Sequence, residues 1–452
     1  MSIGPAFSLM LGVILFLFFG SFGYVSFREQ EHRAARLSWV SSFVTLLLFF
    51  ALALVPSEVQ VLAYLLLAII GIGVLLWLFL DRSSQKMKTE RSWNRFDERD
   101  IVFSRHGLRE GTAEYQNYYA MHPENEEVDA RTRKSPGLLS DEAKEANTPI
   151  FESAEACFMF TEALHIHVEP EVEVDVPPAE PDKMSTFVKG FALYLGAKSV
   201  GIAQLEPVHV YSHSGRGTDP YGERIINNHA YAIAFTVEMS YEMMGSAPRA
   251  PVVLESARQY VEGAKIAVLL SNLLSQLGYH ARAHIDGNYQ VIAPLVARDA
   301  GLGEIGRMGL LMTPDLGPRV RIGVVTTDAP LVTDERMDGA AMIDFCTRCK
   351  KCAENCPSRS IPLDDRRVYD GAYRWKIDPV SCFRYWNVIG TDCGVCMKVC
   401  PYSHPDTFFH NILRGLISHS APGRHIALKL DDVFYGRYPE VRPAPDWTKH
   451  GM

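Results

Sequence analysis

Basic residues do not dominate this sequence, and that removes one large class of partners. Its 452 residues contain 45 Lys and Arg against 53 Asp and Glu, for a formal net charge of -8 at pH 7. A chain that binds nucleic acid normally shows a basic footprint. Nucleic acid is therefore not an expected partner, and the ordinary composition is typical of a folded protein with about two or three domains.

Asp, Glu, Lys, Arg and His are missing from three long apolar runs, at about Ala6–Phe27, Ser38–Val55 and Val59–Leu80. Each run is close to the roughly 20 residues that cross a bilayer, whereas a cleaved signal peptide would supply only one such run. We therefore predict a membrane anchor of three transmembrane helices in residues 1–80. Because intramembrane ionisable groups mark proton or substrate paths, their absence favours an anchor or docking surface.

Basic residues are also unevenly placed around these runs. The loop between the second and third runs has none, whereas the first loop and the segment after the third run carry several: Arg28, Arg33, Arg36, Arg82, Lys86, Lys88, Arg91 and Arg95. Basic residues stay on the cytoplasmic side of a membrane. We therefore expect a multi-pass inner-membrane protein with its N-terminus outside and its large soluble part in the cytoplasm.

Cysteine is scarce except in one short stretch. Of nine cysteines, only Cys157 lies outside residues 346–400, in a helical-looking segment where a small buried thiol is expected. The other eight form a C-x2-C-x2-C-x3-C-P run and a C-x10-C-x2-C-x3-C-P run. In the bacterial ferredoxin pattern the fourth cysteine of a run reaches the other cluster. We predict two 4Fe–4S clusters, the first on Cys346, Cys349, Cys352 and Cys400, the second on Cys382, Cys393, Cys396 and Cys356.

Alternative uses of these cysteines fit less well. Zinc sites take pairs of ligands that build four-coordinate tetrahedra, whereas here each of two triplets is followed by Cys-Pro. A dinucleotide site at Gly301-x-Gly303-x-x-Gly306 is also disfavoured, because the fingerprint follows a strand and the preceding APLVARDA looks helical. His165 and His167, spaced i, i+2, are interpreted as structural residues of a strand.

The soluble part divides by pattern into four segments. Residues 81–183 are interpreted as a juxtamembrane and wrapping segment, and 184–335 as an α/β domain with alternating helices and buried strands. Residues 336–410 form the ferredoxin-like module, and 411–452 are expected to be a tail that packs on the core.

Four segments of the soluble part resemble corrinoid-dependent reductive dehalogenases in order and spacing. They are AGLGEIGRMGLL, TPDLGPRVRIGVVTTDAPL, FCTRCKKCAENCPSRSIP and WKIDPVSCFRYWNVIGTDCGVCMKVCPYSHP, and the upstream RFDERDIVFSR, HVYSHSGRG and VEMSYEMM are similar too. The resemblance implies a nitroreductase-like α/β domain that binds cobalamin, with the two-cluster module near its end. Because His284-x-x-Gly287 lacks the Asp of a D-x-H-x-x-G motif, the corrinoid is expected to be base-off.

The resemblance also implies residue roles. It places the proton-donating tyrosine at Tyr260, supported by Asn288 and by Arg321 with Arg319 as the fallback, and Tyr231 and Tyr241 are competing hydroxyls. The residues expected at the cofactor, with Trp386 as a candidate wall of the substrate pocket, are Gly301, Gly303, Glu304, Gly306, Arg307 and Trp386.

These roles describe an enzyme that removes halogen from an organohalide, with cobalamin reduced through the two clusters by a low-potential donor, either in the membrane or ferredoxin-like. Familiar family members carry an export signal and use a separate anchor, whereas three helices are fused to the enzyme here. Two alternatives remain: an epoxyqueuosine reductase-like enzyme, and a non-catalytic electron-transfer subunit of a membrane complex.

Overall fold

The structure is a computed structural model that describes residues 3–80, 94–172 and 179–449. Arg82, Lys86, Lys88 and Arg91, used above to predict orientation, lie outside the described residues. The chain forms two compact units, one of Met1–Gln85 with Asp406–Pro443 and one of Lys86–Pro405 with Ala444–Met452. The C-terminal segment from Asp406 to Pro443 thus belongs with the N-terminal helices, whereas residues 411–452 were predicted to form a tail that packs on the core.

The described helices are, in chain order, α1 (Ile3–Arg28), α2 (His32–Leu54), α3 (Ser57–Leu80), α4 (Val102–His106), α5 (Ala113–Met121), α6 (Pro123–Arg133), α7 (Thr148–Ala163), α8 (Pro181–Tyr194), α9 (Tyr241–Gly245), α10 (Pro251–Gln276), α11 (Ala293–Asp299), α12 (Ala340–Cys349), α13 (Lys351–Glu354), α14 (Pro379–Ile389), α15 (Val395–Lys398), α16 (Phe408–His419) and α17 (Ala421–Phe434). The strands are β1 (Ser199–Gln204), β2 (Tyr231–Glu238), β3 (Ala281–His284), β4 (Glu304–Ile305), β5 (Leu311–Met312), β6 (Val320–Thr327), β7 (Arg367–Tyr369) and β8 (Ala372–Arg374).

The apolar runs at the N-terminus form helices. Gly4–Arg28 and His32–Leu54 are long and apolar enough to cross a membrane by length and composition. The third run is helical as α3, but its described apolar stretch, Ser57–Gly73, is shorter. Two of the three predicted spans therefore meet the length and composition required, and the third is confirmed only as a helix.

The core of the larger unit is a four-stranded antiparallel sheet in the order β1-β2-β6-β3. Side chains alternate between the faces of a strand, so Ile233 and Phe235 of β2 pack with α8 and α10, whereas Ala232 and Ala234 pack with α11. The helix and strand predictions for residues 184–335 are confirmed. The sheet thus forms the middle of three layers, with α8 and α10 on one face and α11 on the other.

Two local predictions are corrected or extended. His165–His167 is a turn of 3-10 helix and not a strand, so that prediction was wrong; the His165 ring contacts the backbone oxygen of Asp286 at 2.8 Å, a tertiary contact that sequence spacing does not reveal. The charged segment after residue 94 is more regular than a linker, because α4, α5 and α6 follow one another there.

Candidate functional site

Three neighbouring cysteines and a fourth that is distant in sequence line one cavity. Cys346, Cys349, Cys352 and Cys400 surround it together with Arg307, Met308, Met312, Phe345, Lys350, Lys351, Pro401 and Tyr402. Cys349 ends α12, and Lys350, with a left-handed φ of 56°, redirects the chain so that Cys352 lies on α13. Pro401 then begins a new turn directly after Cys400. This is the first predicted crossed set.

The electrostatics of the thiols group most of the cysteines in the same way, although Cys352 of the first set also raises the pKa of Cys396. Burial raises the pKa of the Cys400 thiol well above its ordinary value, and the charges of Cys346 and Cys349 raise it further. In the second set, burial raises the pKa of Cys382 to about 11 and that of Cys393 to about 12, with Cys356 contributing to both. Each set thus concentrates sulfur ligands whose negative charge a cationic metal cluster would neutralise.

The glycine-rich segment supports the first set. An added Cβ on Gly303 would lie 2.1 Å from the backbone oxygen of Met312, so glycine is required where β4 approaches β5. Arg307 is fully buried and donates to the backbone oxygens of Cys346 at 3.1 Å and Pro362 at 2.7 Å. Arg307 therefore holds the cluster-binding segment in place. Its guanidinium, which was expected at the cofactor, is engaged by these backbone oxygens. Glu304 is likewise buried, and it pairs with Arg336 at 2.7 Å.

A second group of ionisable side chains lies in a recess beside the sheet. Burial raises the pKa of Tyr260 to about 12, with Arg321, Asp286, Asp392 and Arg216 acting as neighbouring charges. Tyr260, Asp286 and Arg321 nevertheless keep accessible surface. Strong desolvation with residual exposure is typical of groups that line a deep pocket. In the described part of the chain, the Tyr260 hydroxyl makes no hydrogen bond, so it can meet a ligand.

Arg321 is held in place beside Tyr260. Its guanidinium carbon lies 5.0 Å from the centroid of the Tyr260 ring, a cation–π arrangement. The same guanidinium donates to Ser256 Oγ at 2.6 Å and to Asp392 Oδ2 at 3.0 Å, and Ser256 also donates to Asp392. Since Asp392 precedes Cys393, these contacts join the recess to the second cysteine set.

The net pKa of Tyr260 is raised although Arg321 lies beside its ring. The cation acts to lower the pKa, but burial outweighs it. Burial likewise raises the pKa of Asp392 to about 6, although Arg321 and Ser256 favour the charged carboxylate.

The other predicted positions lie in separate contacts. Asn288 is buried, accepts from Arg282 Nη2 at 2.7 Å and donates to Thr218, and no hydrogen bond among the described residues joins it to Tyr260. The fallback Arg319 is 1% exposed and donates to Ser403 O at 2.8 Å and Glu238 at 2.8 Å.

The competing hydroxyls are placed differently too. The Tyr241 hydroxyl lies 3.3 Å from His404 Nδ1, and Tyr231 packs at the edge of the main core. The structure therefore joins Arg321, rather than Arg319, to Tyr260.

Three recess residues were missed as site residues from the sequence. Asp286 and Tyr289 lie on either side of the Gly287-Asn288 turn, and both interact electrostatically with Arg321 and Arg216. Arg216 is oriented by buried Glu98, which accepts from its backbone and side-chain nitrogens, each at 3.2 Å. Glu98 and Arg216 lie in RFDERDIVFSR and HVYSHSGRG, two upstream segments that resemble reductive dehalogenases. That resemblance was the sequence signal that could have identified them.

Trp386 and His284 complete the surroundings. Trp386 packs on Phe103 with ring centroids 5.9 Å apart and donates to Cys382, while Arg216 lies over Phe103. Trp386 thus lies between the second cysteine set and the recess.

His284 is fully buried, and its two ring nitrogens contact Thr326 Oγ1 at 3.0 Å and the Gln290 amide at 3.1 Å. Its imidazole is therefore occupied.

Comparisons with known proteins agree with this geometry. Residues 345–404 match the family of the 4Fe-4S dicluster domain. The chain is 30% identical over 297 residues to the tetrachloroethene reductive dehalogenase of Sulfurospirillum multivorans, covering 58% of this chain and 59% of that protein. It is 25% identical over 268 residues to the epoxyqueuosine reductase of Pseudomonas aeruginosa, covering 51% and 71%.

The fold has a solved counterpart. The catabolic reductive dehalogenase NpRdhA superposes with a TM-score of 0.65 at 26% identity, over 79% of this chain and 49% of that one. The chain thus spans about half of NpRdhA and 59% of the Sulfurospirillum protein. Together with the cysteine sets and the recess beside them, these similarities show that the chain resembles reductive dehalogenases in sequence and in fold.

Proposed function

We propose that this protein is a membrane-anchored reductive dehalogenase, which removes halogen from an organohalide using cobalamin reduced through two 4Fe–4S clusters. The observation that carries the proposal is the hydrogen-bonded connection from Arg321, beside Tyr260, to Asp392, next to Cys393. It brings a proton donor and an electron path to one recess. Reductive cleavage of a carbon–halogen bond needs two electrons and usually a proton.

The residues of the recess fit a corrinoid. Three buried polar atoms have no hydrogen-bond partner in the part of the chain that the structure describes: Arg321 Nε, Asp392 Oδ1 and Thr391 Oγ1. These polar groups are therefore available to a ligand. Both ring nitrogens of His284 are engaged, so this side chain is not available as a ligand, and we keep the proposal of a base-off corrinoid. We assign the binding of the corrinoid to a nitroreductase-like α/β domain. Its predicted contacts there include Gly301, Gly303, Gly306 and Trp386.

The corrinoid, when bound, supplies a strongly reducing cobalt centre for cleavage of the carbon–halogen bond. The protein supplies the proton from Tyr260. A phenolate in a desolvated recess is costly, and Arg321 over its ring offsets part of that cost. Tyr289 and Asp286 shape the same recess, and Asn288 supports the turn that carries them.

The membrane part of the proposal rests on the two apolar helices of sufficient length. We extend it to a multi-pass anchor at the inner membrane with the soluble part in the cytoplasm. A low-potential donor, either in the membrane or ferredoxin-like, would reduce the clusters.

Anaerobic reconstitution with iron, sulfide and cobalamin tests the function. We expect halide release that requires both cofactors, with a panel that includes tetrachloroethene and a halogenated phenol. Corrinoid binding with reduction of epoxyqueuosine in tRNA, and no halide release, would favour the alternative enzyme. Iron loading without affinity for any corrinoid would favour an electron-transfer subunit.

A further inference from the structure

The C-terminal hairpin of α16 and α17 belongs to the same compact unit as the apolar N-terminal helices. Aromatic contacts hold it there. Phe409 of α16 lies 5.4 Å from Phe18 and 5.2 Å from Phe22 of α1, measured between ring centroids, and Phe434 of α17 lies 5.4 Å from Phe22. The hairpin is therefore packed directly on a helix proposed to cross the membrane.

Polar contacts show which end of α1 and α2 the hairpin occupies. His410 Nε2 lies 3.0 Å from Glu29 Oε2, and both side chains are largely buried. Arg33 donates to the backbone oxygen of Val433 at 3.0 Å, and Arg442 pairs with Glu31 at 3.0 Å. All of these partners flank the turn between α1 and α2, where basic residues predict the cytoplasmic headgroup level.

The surface of the hairpin differs from that of a helix in water. Four of its ionisable side chains, His410, Arg414, Arg424 and Asp431, are buried. Large apolar side chains are exposed instead, by 69% at Phe408, 43% at Ile412, 40% at Leu430 and 52% at Val433. A helix of a soluble protein turns its apolar stripe inward, so these side chains need a nonpolar environment.

We propose that the α16–α17 hairpin lies in the membrane–water interface, with Phe408, Ile412, Leu430 and Val433 inserted among lipid acyl chains. The inference rests on the proposed anchor. With 12 and 14 residues the two helices are too short to span a bilayer, which takes roughly 20, but such lengths suit an interfacial helix.

Lipid is a better occupant of this surface than a second protein. The hairpin belongs to the same compact unit as the apolar helices, which also expose large apolar side chains, such as Leu47 of α2, which is 65% exposed. Lys429, His419 and His425 are exposed on the same hairpin, and basic groups at this depth attract anionic headgroups.

Photocrosslinking in the full-length protein tests the assignment. The chain is reconstituted into nanodiscs of phosphatidylethanolamine and phosphatidylglycerol with p-benzoylphenylalanine replacing either Phe408 or Val433. Leu47, replaced in the same way, reports on the anchor itself. Tyr194, which is 84% exposed in the other unit, is the matched control in water. Mass spectrometry then measures lipid adducts at each position.

We expect adduct yields at Phe408 and Val433 that are similar to the yield at Leu47 and about tenfold above that at Tyr194, because interfacial helices bury their apolar face among acyl chains. Lipid adducts at Leu47 with only background at Phe408 and Val433 would overturn the hairpin assignment and leave the anchor in place. Crosslinks at Phe408 to a second copy would identify a protein interface instead. Background yield at Leu47 as well would overturn both the anchor and this inference.

Discussion

In the proposed function, protonation depends on one side chain, Tyr260, whose hydroxyl makes no hydrogen bond among the described residues. Tyr260→Phe should retain both clusters and the corrinoid but lose dehalogenation by about 10²–10⁴, the usual contribution of a general acid. Halide release at saturating substrate, with iron and corrin content as controls, measures this. Tyr231→Phe is the matched control, since Tyr231 packs at the core edge. A comparable loss in Tyr289→Phe with normal turnover in Tyr260→Phe would move the acid to Tyr289.

The pH dependence follows from the pKa of Tyr260, raised by burial to about 12. A free tyrosine ionises near pH 10. Because the folded pKa lies above that value, the phenol stays protonated and available as a donor throughout neutral and mildly alkaline pH. We therefore expect kcat to show no decline with an apparent pKa near 10. A decline at that pH would mean that the donor is solvated rather than recessed.

Ser256 positions Arg321 by joining it to Asp392. In Ser256→Ala the guanidinium loses one hydrogen bond, and a bond of this kind to a charged group contributes about 1.5–3 kcal/mol. We expect kcat to fall by about tenfold or more, with KM little changed because the effect is on the proton donor. Ser271→Ala on the same helix is the control, since among the described residues the Ser271 hydroxyl bonds only to Val268 O. Equal kcat in both variants would contradict a positioning role.

At this scale the sequence predicted part of the site. A resemblance in local motifs led to Tyr260 and Arg321, which the structure brings together in a cation–π contact, while their roles stay predictions. Asp286, Tyr289 and Arg216 were not recognised, since they reach the recess through a turn and a loop whose placement is tertiary. The resemblance also could not show that Arg307 would be occupied by backbone oxygens of the cluster segment.

The cysteine-bearing elements were the most predictable, because ligand spacing is dictated by cluster geometry. Cys400→Ser should damage the cluster whose other ligands are Cys346, Cys349 and Cys352, although it lies far from them in sequence. Electron paramagnetic resonance of the reduced protein and iron analysis measure this against about eight irons in the wild type, four per cluster. Cys157→Ser, outside both sets, should keep the full iron content. An unaltered first-cluster signal in Cys400→Ser would refute the crossed assignment.

Other elements were predictable only in part. The continuous apolar run of β2 and the long amphipathic pattern of α10 predicted their type, and both were confirmed. The turn at His165–His167 depends on the contact with Asp286, so a strand was predicted in error.

On the scale of the whole molecule, topology is the accessible test. A reporter fused after Met452 should behave as cytoplasmic, because basic residues flank the first loop and follow the third apolar run, while the second loop has none. Paired phosphatase and fluorescent-protein fusions measure this, with fusions at Ser57 as the control on the opposite side. Periplasmic phosphatase activity at Met452 would reverse the orientation.

The grouping of Asp406–Pro443 with the N-terminal helices has a consequence for synthesis. In the proposed topology the ribosome delivers α1 and α2 to the bilayer first, but their partners Phe409 and Phe434 emerge only after the whole intervening domain has been translated. At ordinary elongation rates this delay is on the order of tens of seconds. The membrane unit is therefore completed last, after the domain between its two parts has left the ribosome.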